Sequence, residues 1–261
     1  MSNDPAIDND ISTKTGSESA VDRLRLILGE TALSRLQKSR VMVIGLGGVG
    51  SSCAEALARG GIGSLVLVDR DVVTPSNINR QALAFHSTIG RPKTEVMKQM
   101  IKDINPECET FTLQAFIDKD QIPEQLGSLP HPDFVVDAID TISQKLAIAI
   151  WCQEEGIPEV SAMGGANKLD PTRLRFAPIE ETHTDPLARV MRKEGRKRGL
   201  RELTVLYSDE LPREAEGKHS AIDEKGFVKE GASILGTMSY YPPIMGQMLA
   251  GYVLCKLAGL Q

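Results

Sequence analysis

At 261 residues, with 41% hydrophobic and 25% charged residues, the chain has the composition of a soluble globular protein able to bury a sizeable core. A net charge of −5 excludes a global pull toward nucleic acid, and 4% aromatics argues against a base-stacking surface as the main binding platform. Cys53, Cys108, Cys152 and Cys255 form no C-x-x-C pair and the four histidines form no ligand pair, which weighs against a zinc site or a disulfide framework.

The first 20 residues are polar and acidic. They lack the apolar stretch of a signal peptide and the arginines of a transit peptide, so a disordered tail on a cytoplasmic protein is expected. A helix over 22–37 then leads into a strand at 41–45. The glycine-rich turn of "VMVIGLGGVGSS" follows and opens a helix near Gly48, whose Ala54, Ala56 and Ala58 suit close packing. "SLVLVD" (64–69) and "DFVVDAID" read as strands buried on both faces, as parallel sheets require. "KTEVMKQMIKDI" reads as a helix, "ETFTLQA" as a strand, "TISQKLAIAIWCQEEG" as a helix and "IPEVSAM" as a further strand.

This alternation predicts βαβ units with right-handed crossovers. The expected fold is α/β, a Rossmann-like doubly wound, mainly parallel sheet. Residues 21–261 are expected to form a single domain. Within it, 21–165 make the nucleotide-binding core and 166–261 a substrate-binding and dimer-forming part. The alternation fails after "MGGAN"; "RLRF" alternates apolar and polar residues, and the polar stretch around 208–230 is expected to be a mobile loop. The apolar "IMGQMLAGYVLCKLAG" is too short to span a bilayer, so it reads as a buried or dimer-facing helix that closes the fold, with no membrane partner.

Gly45, Gly47 and Gly50 fit G-x-G-x-x-G, and with Gly48 they allow a tight turn that brings helix N–H groups and the positive dipole end to a phosphate. That loop suits NAD, FAD or ATP equally. The following strand end separates them. Asp69 is placed to accept from ribose hydroxyls, and Asp71, Asn77, Asn79, Arg80 and Gln81 crowd polar groups into the next residues. Lys93 begins a helix after Pro92. A pyrophosphate is served mainly by backbone amides, whereas a triphosphate recruits Arg, Lys and Mg²⁺, so Arg80 and Lys93 favour ATP. Asp137 and Asp140 end a strand on the nucleotide side; Asp140 is the chosen Mg²⁺ ligand, and Asp137 suits ordering of the loop or a helix cap.

These motifs, "GLGGVGSS", "DRDVVTPSNINRQ", "GRPK" and "DAID", resemble the adenylation core of the ubiquitin-activating-enzyme-like superfamily, which includes activators of molybdopterin and thiamine sulfur carriers. The resemblance implies ATP-dependent adenylation of a carboxylate inside a homodimer. It assigns phosphate contacts to Asn77, Arg80 and Lys93, the ribose acid to Asp69 and the magnesium acid to Asp140, with a monovalent cation as a further candidate. It also implies an arginine from the partner subunit on the first helix. Arg23 is the best positional match and Arg25 the alternative, since the earlier family arginine is here Ala20.

The two C-x-x-C pairs of the sulfur-carrier activators are missing, and no cysteine lies between Cys152 and Cys255 to receive an activated carboxylate. Cys53, Cys152 and Cys255 read as buried small hydrophobes. "INPEC", "GGANKLDPTRLRF" and "THTDPLARVMRKEGRKRG" resemble instead the tRNA threonylcarbamoyladenosine dehydratase family. That resemblance implies activation of the carboxylate of N6-threonylcarbamoyladenosine (t6A), beside the tRNA anticodon, as an acyl-adenylate. Intramolecular closure then gives cyclic t6A without a protein nucleophile. Some relatives carry a cysteine near the position of Gly231, where this chain reads "GASILGT". A sulfur-transfer or desulfurase partner is left open, and activation of a small ubiquitin-like sulfur carrier is the alternative function.

Arg189, Arg192, Lys193, Arg196, Lys197, Arg198 and Arg201 put seven cations into thirteen residues, with Glu194 the only acid. On a helix Arg189, Lys193, Arg196 and Lys197 fall near one face, a stripe suited to tRNA phosphates.

Overall fold

The computed structural model of the protein describes residues 18–214, 221–222, 228–229 and 235–260. Residues 1–17 of the expected tail, most of the expected loop at 208–230, and Gly231 lie outside the described residues.

Helix α1 (Asp22–Lys38) precedes strand β1 (Arg40–Ile44), helix α2 (Gly48–Arg59) and strand β2 (Ser64–Val68). Then come α3 (Lys93–Ile104), β3 (Glu109–Leu113), α4 (Ile122–Gly127), β4 (Phe134–Asp137), α5 (Ile142–Glu155) and β5 (Glu159–Ala162). The chain continues through β6 (Leu174–Pro178), α6 (Pro186–Lys197), β7 (Thr204–Ser208), a small hairpin of β8 (Ala221–Ile222) and β9 (Val228–Lys229), and α7 (Tyr241–Ala258). The short α4 and a break in α1 at Gly29 (φ 75°, ψ 167°) carry no periodic signal that would announce them.

The sheet runs β3-β2-β1-β4-β5-β7-β6, parallel except for β6, which lies antiparallel to β7 at the edge. β2 and β4 are buried along their whole length, which explains their unbroken apolar runs. β6 alternates, as an edge strand with one wet face should, and ends on Pro178 where no ladder donor is needed.

From β1 the chain winds outward through β2 and β3, then returns to place β4 on the other flank of β1. The carboxyl ends of β1 and β4 therefore bound a crevice, the position at which open α/β sheets bind ligands. Gly45 leaves β1 at φ +89° and donates its N–H to Val68 O at 2.7 Å. Ala138 leaves β4 by donating to Ile44 O at 2.8 Å.

The apolar terminal helix resolves as a buried element. Tyr241, Met245, Leu249 and Val253 of α7 are fully buried against the core that includes Cys53, Ala54 and Leu57 of α2. The two helices approach backbone-close, since a Cβ at Gly246 would stand 2.3 Å from Val49 O. Among the described residues no helix is long and apolar enough to cross a membrane.

Candidate active site

A cavity of about 820 Å³ opens at the crevice between β1 and β4, a volume suited to a nucleotide with part of a second ligand. Gly45, Gly47, Gly48, Asp69, Asp71, Asn77, Arg80, Gln81, Lys93 and Asp140 all line it, so five separate stretches of the sequence meet at one wall. Gly50 does not. A Cβ there would stand 1.7 Å from Gly45 O, so the close packing of the turn at this position requires glycine.

The acids at the end of β2 brace the glycine turn. Asp69 accepts from Leu46 N at 2.6 Å with one oxygen and from Asp71 N at 2.7 Å with the other. Its remaining lone pairs are still available to a hydroxyl. Lys93 opens α3, where the helix dipole disfavours a cation; its buried ammonium is held by Asp71 Oδ2 at 2.9 Å. Arg80 folds back over the turn, donating to Ser76 O and Asn79 Oδ1. Asn77 is buried and accepts from Thr74 N, fixing the loop that carries Arg80. Gln81 Oε1 is buried and has no hydrogen-bond partner among the described residues.

The two acids of "DAID" have opposite environments. Asp140 is exposed at the cavity, and its carboxylate accepts from the Thr141 hydroxyl at 3.3 Å. Asp137 is fully buried and orders the loop: it accepts from Ser161 Oγ at 2.7 Å, Ile139 N at 3.2 Å and Lys145 Nζ at 2.8 Å. Glu159 lies beside this pair. Burial, reinforced by the Asp137 charge and opposed by Lys145, pushes its carboxyl well above the usual carboxylate range. Among the described residues no three His, Cys, Asp or Glu side chains converge as a metal site. A cation at Asp140 would thus complete its shell from phosphate oxygens and water, the habit of Mg²⁺.

The far end of the cavity carries contacts that sequence reasoning missed. It is walled by the "MGGANK" loop after β5 and by the start of α6. Lys168 is buried there, donating to Asp185 Oδ2 at 2.7 Å and Ser208 O at 3.2 Å, while Asp185 Oδ1 caps α6 through Ala188 N at 2.9 Å. Asn167, at φ 58°, exchanges backbone hydrogen bonds with Gly236 O and Arg213 N and accepts from Gly236 N. Asn79 donates to Thr237 O at 3.1 Å, so the segment at 235–238 ties the two lips together. The rim beyond β3 carries Phe116, with Arg70 over its ring at 5.0 Å. The "MGGAN" turn at a strand end and the family-like stretches holding Lys168 and Asp185 marked this region in the sequence; the pairings across it left no signal.

α6 spans Pro186–Lys197 and turns Ala188, Met191 and Gly195 inward. Arg189, Lys193, Arg198 and Arg201 point to solvent. Arg196 and Lys197 are exposed too, but pair with Glu180 and Glu194. Arg192 is drawn inward instead, its guanidinium donating to Thr182 O at 2.7 Å and Thr182 Oγ1 at 2.6 Å. Of the seven cations expected to meet RNA, it is the one that anchors the turn before α6. On α1, Arg25 is engaged by Asp22 and Glu30, each at 2.5 Å, whereas Arg23 is exposed. Neither arginine lines the cavity of its own chain.

Cys53 and Cys152 are buried and burial pushes both thiols far up; Cys108 is pushed up to about 11 by the same cause. None of the three can present a thiolate near neutral pH. Cys255 on α7 is only partly buried, which corrects the expectation that it packs as a buried small hydrophobe.

Residues 20–260 match the ThiF family. The chain is 42% identical over 239 residues to the tRNA threonylcarbamoyladenosine dehydratase of Bacillus subtilis, covering 90% of this chain and 93% of that one. The crystal structure of Escherichia coli tRNA N6-threonylcarbamoyladenosine dehydratase superposes with a TM-score of 0.79 at 28% identity, over 92% of this chain and 95% of that one. The structure of the same enzyme in complex with ATP superposes with a TM-score of 0.77 at 29% identity, over 93% and 98%. The chain belongs to the ThiF family, on its tRNA threonylcarbamoyladenosine dehydratase branch.

Proposed function

We propose that this protein uses ATP and Mg²⁺ to adenylate the side-chain carboxylate of t6A in tRNA, and that ring closure within the substrate then yields cyclic t6A. The carboxylate oxygen attacks the α-phosphorus, pyrophosphate leaves, and the substrate's own nucleophile expels AMP from the acyl carbon. The net change in the nucleoside is loss of one water. The reading rests on one observation above the others: the switch-point cavity joins a phosphate-binding turn flanked by Arg80 and Lys93 to an exposed acid, Asp140. The likeness to the B. subtilis dehydratase supports the choice of substrate.

Asn77, Arg80 and Lys93 would meet the triphosphate, Asp69 the ribose, and Asp140 the Mg²⁺ that neutralises phosphate charge. Arg80 and Lys93 supply the positive charge that the pentavalent phosphorus demands as it forms. Because the attack on the acyl group is internal, high effective molarity replaces a protein nucleophile. The inert, buried thiols of Cys53, Cys108 and Cys152 fit that route. Residues 21–165 carry nucleotide chemistry in this reading, and 166–261 hold the substrate. The exposed cations of α6 would track tRNA phosphates in the cytoplasm. A homodimer would bring Arg23 of the second copy to the site; Leu26 and Ile27, each 81% exposed on α1, give that helix an apolar surface to cover.

The test is direct. Purified protein is incubated with ATP, Mg²⁺ and t6A-bearing tRNA, and the nucleosides are resolved by mass. A product lighter by one water, formed with stoichiometric AMP and pyrophosphate, is expected. Pyrophosphate exchange that appears only when a small carrier protein is added would replace this reading with carrier activation.

A further inference from the structure

We propose that Lys145 is a positioning residue for Asp140, holding the loop that carries this acid against the glycine turn. The proposal rests on reading Asp140 as the cation-facing group. Lys145 lies in the first turn of α5 and is fully buried, as is Asp137. Its ammonium reaches back to Ile139 O at 3.0 Å and to Asp137 Oδ2 at 2.8 Å. Asp137 Oδ1 in turn accepts from Ile139 N at 3.2 Å. Residue 139 is therefore gripped at both its N–H and its C=O by one buried ion pair, and Asp140 follows directly.

Ala138 and Ile139 set the opposite lip of the crevice. A Cβ at Gly45 would stand 2.9 Å from both Ala138 O and Ile139 Cγ2, and one at Gly50 would stand 3.2 Å from Ala138 Cβ. The clamped loop and the phosphate-binding turn thus touch without a spare methyl's width between them. A shift of Ile139 moves Asp140 relative to the bound phosphates, or collides with the turn. A buried ion pair is poor evidence of net stability, because desolvation offsets its attraction. A lysine at a helix N-terminus also faces the wrong end of the dipole. What the pair does supply is a fixed register for one peptide unit, at the residue next to the acid.

The experiment compares three proteins: the parent, Asp140→Ala, and the double variant Asp137→Asn/Lys145→Met, which removes both buried charges together. ATP affinity is measured by calorimetry in EDTA and again in Mg²⁺. The double variant is expected to fold, to bind ATP in EDTA within threefold of the parent, and to lose tenfold or more of the gain in affinity that Mg²⁺ provides. A purely structural pair would move neither measurement selectively. If the double variant keeps the full Mg²⁺ gain while Asp140→Ala loses it, the clamp is wrong and the cation reading stands. If Asp140→Ala keeps the gain, the cation reading falls and takes the proposal with it. Hydrogen exchange of the parent decides independently of how the variants fold. The Ile139 amide is expected among the slow core amides, and fast exchange there overturns the clamp.

Discussion

Lys168 Nζ lies 2.7 Å from Asp185 Oδ2, and the two side chains are 1% and 0% exposed. Asp185 is also the cap of α6, so the helix bearing the outward cations is anchored through a buried charge to the loop that walls the cavity. Removing one partner strands the other as an uncompensated buried charge. Lys168→Met is expected to destabilise the fold by about 3–5 kcal/mol, or on the order of 10 °C in melting temperature. Lys168→Met/Asp185→Asn should recover much of that loss. Equal melting of the single and double variants would show that the pair does not act as a unit.

Turnover should depend on Arg80 and Asp140 without the fold depending on them. Each is at the cavity wall, and neither lies in the apolar core. Arg80→Ala or Asp140→Ala is expected to lower kcat/KM for t6A-tRNA by about 10²-fold or more, the usual cost of removing a group that meets developing charge. Circular dichroism should be unchanged. Full activity in either variant contradicts the site.

The outer and inner cations of α6 should separate cleanly. Charge reversal at Arg189, Lys193 and Arg198 is expected to weaken tRNA binding and to reduce its log–log salt slope by roughly 0.7–0.9 for each phosphate no longer neutralised. Arg192→Ala should leave the slope alone and lower the melting temperature, because it frees the Thr182 turn. A salt slope untouched by the triple reversal returns α6 to an ordinary solvated face.

Glu159 should make stability fall as pH rises. Its folded-state pKa is raised, so the native state holds a proton that the unfolded chain begins to release near the ordinary value of 4.5. Below that value both states are protonated and the group is neutral in effect. Above it the native state is progressively disfavoured, until the folded pKa is passed. Glu159→Gln is therefore expected to match the parent near pH 4.5 and to exceed it at pH 8 in urea midpoint. A difference that does not grow with pH would show that the carboxyl is ionised in the fold.

The parallel core was legible because strands buried on both faces read as near-continuous apolar runs, as "LVLV" and "FVV" do, with Asp137 closing β4. Asp69 and Asp140 could be placed at the crevice from the sequence because open sheets set ligands beyond strand ends, and both line the cavity. What remained hidden depends on where distant segments cross. Lys168 and Asp185 are 17 residues apart, and nothing in either neighbourhood marks them as a pair. Gly50 reads like its neighbours in sequence, and nothing local marks the approach that would put a Cβ there 1.7 Å from Gly45 O. Arg192 sat in a run of cations, and only the inward turn of its side chain removed it from their surface.

The union of α2 with α7 also governs how the protein is born. Gln247 Nε2 on the last helix reaches Ser52 O on the helix that follows the glycine turn, a separation of 195 residues. At 5–20 residues per second, a ribosome takes roughly 10–40 s to deliver the second after the first. For that interval Cys53, Ala54 and Leu57 have no α7 to cover them. The nascent chain therefore carries an apolar flank on α2 until α7 emerges, and the packing around that helix closes only then.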